Sequence, residues 1–106
     1  MTTYAPKVLA EGQLGSVKAT LYTVPALTQA FVKMIRGSNI SGSQVTVYLY
    51  LNPGGTSRRI WPPIVLERDE SFLIDDVPEL EAADLIEGYS STPSAVDFVI
   101  TGVERA

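Results

Sequence analysis

From Val45 onward the chain alternates with period two. Val45, Val47, Leu49 and Leu51 fall on one side, and Gln44, Thr46, Tyr48 and Tyr50 on the other. Successive side chains leave a pleated backbone in opposite directions, so this pattern predicts a strand with one face in a core. The closing segment repeats it, with Val96, Phe98 and Ile100 opposite Asp97, Val99 and Thr101. Burying each Phe, Val or Ile contributes roughly 1.5–3 kcal/mol, which places this last strand near the centre of a sheet. Further runs of strand character are residues 17–24, 29–37, 57–61, 71–75 and 84–89, with a weaker one at 7–10. Together with 44–52 and 95–104 they predict an all-β domain of about seven or eight strands. The expected architecture is an antiparallel β-sandwich, jelly-roll or immunoglobulin-like.

The punctuation between the runs has a mechanism. Proline cannot donate to a ladder and biases the residue before it to extended geometry, so Val24-Pro25 ends one strand and Pro62-Pro63 another. The strongest turn is Asn52-Pro53-Gly54-Gly55, and Ser38-Asn39-Ile40-Ser41-Gly42-Ser43 supplies a second. Two segments depart from simple alternation. In 29–37 the apolar residues Phe31, Val32, Met34 and Ile35 break the period, which predicts a bulge or burial on both faces. Residues 77–88 contain good helix formers, with Leu80 and Ala83 on one side, but a helix this short is marginal alone. A turn around 81–84 followed by a strand is the expectation. Residues 1–16 are more polar and carry Pro6, Gly12 and Gly15, so they read as an N-terminal arm ahead of a single domain at 17–106.

Composition narrows the chemistry. The 106 residues include no cysteine and no histidine. Disulfides and thiolate chemistry are therefore excluded, along with the commonest general base at neutral pH and the commonest transition-metal ligand. The net charge is −4, and the eight basic residues are scattered apart from Arg58-Arg59, which argues against a nucleic-acid partner. No apolar run approaches the ~18 residues of a membrane-spanning helix. The opening stretch MTTYAPKVLAEGQLG has no signal-peptide core, so the expectation is a soluble protein made and kept inside a cell or packaged there.

Candidate sites are few. A Ser-His-Asp triad cannot be assembled, and no G-x-S-x-G occurs; a Ser-Lys pair using Lys18 or Lys33 is the remaining nucleophilic option. The acidic groups Glu67/Asp69/Glu70, Asp75/Asp76 and Glu79/Glu81/Asp84 flank predicted turns, where solvated carboxylates are common. Asp75, Asp76 and Asp84 offer hard oxygen ligands for calcium but lack the spacing of a calcium loop. NPGGTSRR at 52–59 lacks a P-loop pattern and opens a strand instead of a helix. The expectation is a non-catalytic protein with no catalytic, cofactor-binding or metal-binding residue.

The aromatic residues are the strongest functional signal. Tyr48 and Tyr50 share the face of a strand that should meet water, Tyr22 lies on another strand, and Trp61 precedes the diproline. Amphipathic aromatics and arginine suit surfaces covered by a partner. Tyr22, Tyr48, Tyr50, Arg58, Arg59 and Trp61 are accordingly the interface candidates. Three occupants remain open for the tyrosine face: the chain's own packing or arm, a subunit or partner, or a sugar ring stacked as in a carbohydrate-binding module.

The order LYTVPALTQAFVKMIRGSNISGSQVTVYLYLNPGG at 21–55, followed by LEAADLIEG and the closing AVDFVITGVE, resembles a pattern in small virion proteins of tailed bacteriophages. The similarity runs from about Leu21 to Glu104. It departs from that pattern at Ala83, where glycine is usual, and at Leu27, in place of a small turn residue. The resemblance implies an antiparallel sandwich acting as a structural component: a capsid decoration or cement protein, or a tail or neck protein. It implies a homo-oligomer, with a trimer suiting such roles, and a phage capsid or tail protein as partner. The location would be the virion, after assembly in the host cytoplasm. The alternative function is a carbohydrate-binding module for attachment to a host surface.

Overall fold

The computed structural model describes residues 7–105. Eight strands form: β1 (Lys7–Gln13), β2 (Ala19–Thr23), β3 (Gln29–Asn39), β4 (Val45–Asn52), β5 (Ile64–Leu66), β6 (Ser71–Ile74), β7 (Leu85–Ser90) and β8 (Val96–Arg105). They pair antiparallel in two four-stranded sheets, the first in the order β1-β8-β3-β6 and the second in the order β2-β7-β4-β5. Each sheet draws alternately on the early and late halves of the chain, which is the wound topology of a jelly roll and not that of an immunoglobulin sandwich.

The period-two segments take the faces that their pattern predicts. Along β4 every second residue from Val45 to Leu51 is buried, while Tyr48 and Tyr50 look outward and are half-buried. β8 lies between β1 and β3, and Val96, Phe98 and Ile100 point into the core. The irregular stretch in β3 is a bulge, with the register to β8 slipping between Val32 and Met34. That slip turns both Val32 and Ile35 inward. Residues 81–84 form a turn, and the strand follows at Leu85. The Asp84 carboxylate accepts hydrogen bonds from the backbone N–H of Glu81 at 2.9 Å and of Gly54 at 3.2 Å. It closes its own turn and ties it to the Asn52–Gly55 turn, which accounts for a residue otherwise readable as a calcium ligand.

Two elements differ from the sequence reading. Residues 7–13, assigned by composition to the arm with a weak strand at 7–10, form β1 and pair with β8 from Lys7↔Gly102 to Gln13↔Asp97. Leu14 then enters the core. The polar side chains that suggested an arm belong to the outward face of a sheet edge. Residues 1–6 of the expected arm lie outside the described residues. The strand expected at 57–61 is reduced to one bridge, Leu51↔Arg58, and β5 forms beyond the diproline. Pro62 and Pro63 exclude ladder donors up to Pro63, so pairing with β4 begins at Ile64.

One polar residue organises the far end of the sandwich. Asn39 is 1% exposed. Its Nδ2 donates to the carbonyls of Ser43 (2.7 Å), Glu67 (3.1 Å) and Leu66 (3.3 Å), and its Oδ1 accepts from the Ser41 N–H and hydroxyl. The β3–β4 turn is thereby fastened to the end of β5. At the opposite end the Tyr22 hydroxyl donates to Glu104 at 2.6 Å, and Lys7 pairs with the same carboxylate at 2.8 Å. This trio links β1 and β8 of one sheet to β2 of the other.

All four sheet edges are blunted. β1 and β2 each carry a register irregularity, at Val8/Ala10 and Thr20/Tyr22. β5 and β6 have only three and four residues. Bulged or very short edges resist addition of a strand from another molecule.

Candidate functional site: the two outer sheet faces

The six interface candidates separate into three groups. Tyr22 and Trp61 belong to the chain's own core, at 7% and 8% exposed, and are not available to a partner. For Tyr22 the cause is the β2 irregularity, which places it opposite Ile86 on the inner face. Burial, together with the hydrogen bond to Glu104, raises its phenol well above the ordinary range. Trp61 sits where the chain leaves the β4 edge at the diproline, and its ring folds into the core instead of a ladder. Arg58 and Arg59 are exposed, and Arg58 is held by paired backbone hydrogen bonds with Leu51.

Tyr48 and Tyr50 do occupy the outer face of the second sheet. The residue that meets them is Tyr89, which lies directly across from Tyr48 in the β4–β7 register. The Tyr48 and Tyr89 rings stack with centroids 4.7 Å apart at 16°, and those of Tyr50 and Tyr89 lie 6.2 Å apart at 14°. The Lys18 ammonium sits 4.8 Å from the Tyr50 ring centre and donates to the Ser57 hydroxyl at 3.1 Å. Hydrogen bonding with Tyr50 is the main cause that raises the Tyr89 phenol, while Arg59 and Lys18 pull it the other way. The ladder is thus flanked by two cations.

Stacking of this kind spends ring faces on neighbouring rings and on a lysine ammonium, whereas a pyranose needs a free face. The arrangement therefore favours cross-strand packing within the sheet over a sugar platform. Lys18 and Ser57 are within hydrogen-bond reach of each other, but the contact is exposed.

The outer face of the first sheet was not singled out by sequence. Register across β1, β8, β3 and β6 places its outward residues in rows. Val8, Thr101 and Met34 form one row, and Glu11, Val99, Arg36 and Leu73 the next. Gln13, Asp97, Ser38 and Ser71 form the third. Val8 and Leu73 are each 56% exposed, and Phe31, opposite Val103 at the β3 start, is 38% exposed. Arg36, Ser38, Ser71, Asp97 and Val99 line a shallow hollow of about 350 Å³ at the polar end. The face grades from apolar near Phe31 to polar near Ser38. Only the outward Val99 of β8 hinted at this in the sequence, because the rows exist only once the strands are paired.

No family model matches the chain, and no characterised protein matches it by sequence. Among solved structures, one described as "Bacillus endospore appendages form a novel family of disulfide-linked pili" aligns with a TM-score of 0.55 and 11% identity. That alignment covers 98% of this chain and 88% of the other. The crystal structure of PirA aligns over 97% of this chain and 94% of its own at 12% identity, with a TM-score of 0.41. The first similarity is one of fold, and it agrees with the β-sandwich described above.

Proposed function

We propose that the chain is a non-catalytic structural protein whose copies associate, and that it serves in a tailed-phage virion. Its place there would be the capsid surface, as a decoration or cement protein, or the tail or neck. The observation that carries self-association is the outer face of the first sheet. Val8, Phe31 and Leu73 stand exposed there beside half-buried Met34, Val99 and Val103. In this face the apolar positions are interleaved with an acid and a base, Glu11 and Arg36, and such a mixed composition is usual for association surfaces, which bulk hydrophobicity does not distinguish. Because the sheet edges are blunted, copies meet through faces and not through strand addition.

The virion setting rests on the sequence pattern at 21–104, with assembly in the host cytoplasm and docking on a capsid or tail protein. Weak contacts repeated over a regular particle gain by avidity. The endospore-appendage neighbour is described as forming disulfide-linked pili. This chain has no cysteine, so its own assembly would be non-covalent. The test is absolute mass by light scattering after size exclusion over a concentration series, with mass spectrometry of purified particles. An oligomer in solution and the chain in the particle support the reading. A monomer at every concentration and absence from particles would end it.

A further inference from the structure

The charges on the first sheet's outer face are arranged for a specific partner. Glu11 on β1 and Arg36 on β3 lie in one row on either side of Val99, which sits on the intervening strand β8. Two strand spacings separate them by about 10 Å, too far for an ion pair within the chain. Among the described residues the ion pairs are Lys7–Glu104 and Arg68–Asp69, and neither involves Glu11 or Arg36. Both side chains are exposed.

We propose that two copies of the chain pack face to face through this surface, related by a two-fold axis running along β8. The proposal deepens the self-association reading above and rests on it. Rotation about that axis superposes β1 of one copy on β3 of the other. Glu11 then faces Arg36 of the second copy, and the same pair forms again on the other side of the axis. In the neighbouring row Val8 meets Met34, and along the axis Val99, Thr101 and Val103 each meet their own equivalents. No other placement of the axis along a strand of this sheet brings the lone acid of the row onto its lone base. An isologous contact needs this self-complementarity.

The two-fold overlays β1, β8 and β3, of seven, ten and eleven residues, and leaves β6 outside the overlap. At the usual rise and strand spacing that overlap spans about 400 Å² per copy, below the ~1,000 Å² total of a stable specific interface, so the pair is a weak one that forms at high concentration. Asp97 lies further along β8, so the two Asp97 carboxylates approach each other at the polar rim, each beside an Arg36. This like-charge contact keeps association moderate.

Sedimentation velocity over a concentration series tests the pairing with Glu11→Arg and Arg36→Glu. Each reversal alone replaces two attractive contacts by two repulsive ones and weakens association by about tenfold or more. Equimolar mixing of the two single variants restores it to within about threefold of the native chain, because the mixed dimer pairs opposite charges at both positions. Asp97→Asn tightens association. Reversals that leave association as in the native chain, mixing that restores nothing, or weaker association of Asp97→Asn would each overturn the pairing while leaving self-association in place. A native chain that stays monomeric throughout would overturn both.

Discussion

Replacing Asn39 tests whether one buried amide holds the far end of the sandwich. Asn39→Ala removes a donor to three carbonyls and the acceptor of Ser41. Two of those carbonyls retain a second donor: Glu67 from the Glu70 N–H and Ser43 from the Ser41 hydroxyl. The Leu66 carbonyl keeps its place in the β4–β5 ladder opposite Val45 but loses the amide, and the methyl group leaves a small void. Each lost hydrogen bond is worth about 0.5–1.5 kcal/mol, so with the void the expected loss is about 2–3 kcal/mol. For a domain of this size each kcal/mol lowers Tm by roughly 4–8 °C, giving a drop of about 10–20 °C.

Asn39→Asp is isosteric but turns a carboxylate oxygen toward the three carbonyls. The introduced carboxylate is stabler protonated in the folded state, so its folded pKa lies above the unfolded one. Stability is then greatest below the unfolded value and falls as pH rises, and the deficit against the native chain widens between about pH 4 and 7. Urea unfolding at both pH values measures this. An Asn39→Ala loss below about 0.5 kcal/mol, or an Asn39→Asp deficit that shrinks with rising pH, would refute the reasoning.

Three further outcomes follow from the same structure. Glu104 is held below the ordinary carboxylate range by its hydrogen bonds with Lys7 and then Tyr22, so its contribution is present above the unfolded pKa and fades as pH falls. Glu104→Gln should therefore flatten the native loss of Tm below about pH 4.5, and an unchanged acid slope would contradict that. Gly102→Ala places a methyl group against the Phe31 carbonyl and the Val32 Cα, both backbone. It should cost about 3 kcal/mol or more, while Gly42→Ala, with open space around it, stays near neutral by chemical unfolding. Tyr89→Ala removes the partner of both Tyr48 and Tyr50 and should lower stability by about 1–2 kcal/mol, more than Tyr50→Ala. Glycan-array retention by the native chain that is lost in Tyr48→Ala would instead restore the sugar-binding alternative.

What the sequence disclosed followed its local periodicity. The inward set of β4, the inward set of β8, the bulge near Lys33 and the turn before Leu85 were all legible, because each is set by residues within a few positions of one another. One strand was misplaced and another only half read where local composition and long-range pairing disagree. β1 is polar because it is an edge, so the weak run at 7–10 marked its first half and only the ladder to β8 carries it to Gln13. Arg58 to Trp61 has strand-like residues, but the diproline moves the pairing to Ile64. The site was less legible than the fold. Tyr22 and Trp61 look like surface aromatics until a bulge and a diproline turn them inward. Tyr89 joins Tyr48 through a register spanning some forty residues of chain, and Glu11 faces the same row as Arg36 only through β8. No spacing rule within a single strand contains that information.

The central claim is that copies of this chain meet through the outer face of the first sheet and not through the tyrosine ladder. Methyl and aromatic NMR spectra recorded across a concentration series test it most directly. Shifts should move with concentration at Val8, Met34, Val99 and Val103, with the Tyr48, Tyr50 and Tyr89 rings unmoved. Shifts confined to those rings, or none at any concentration, would contradict it.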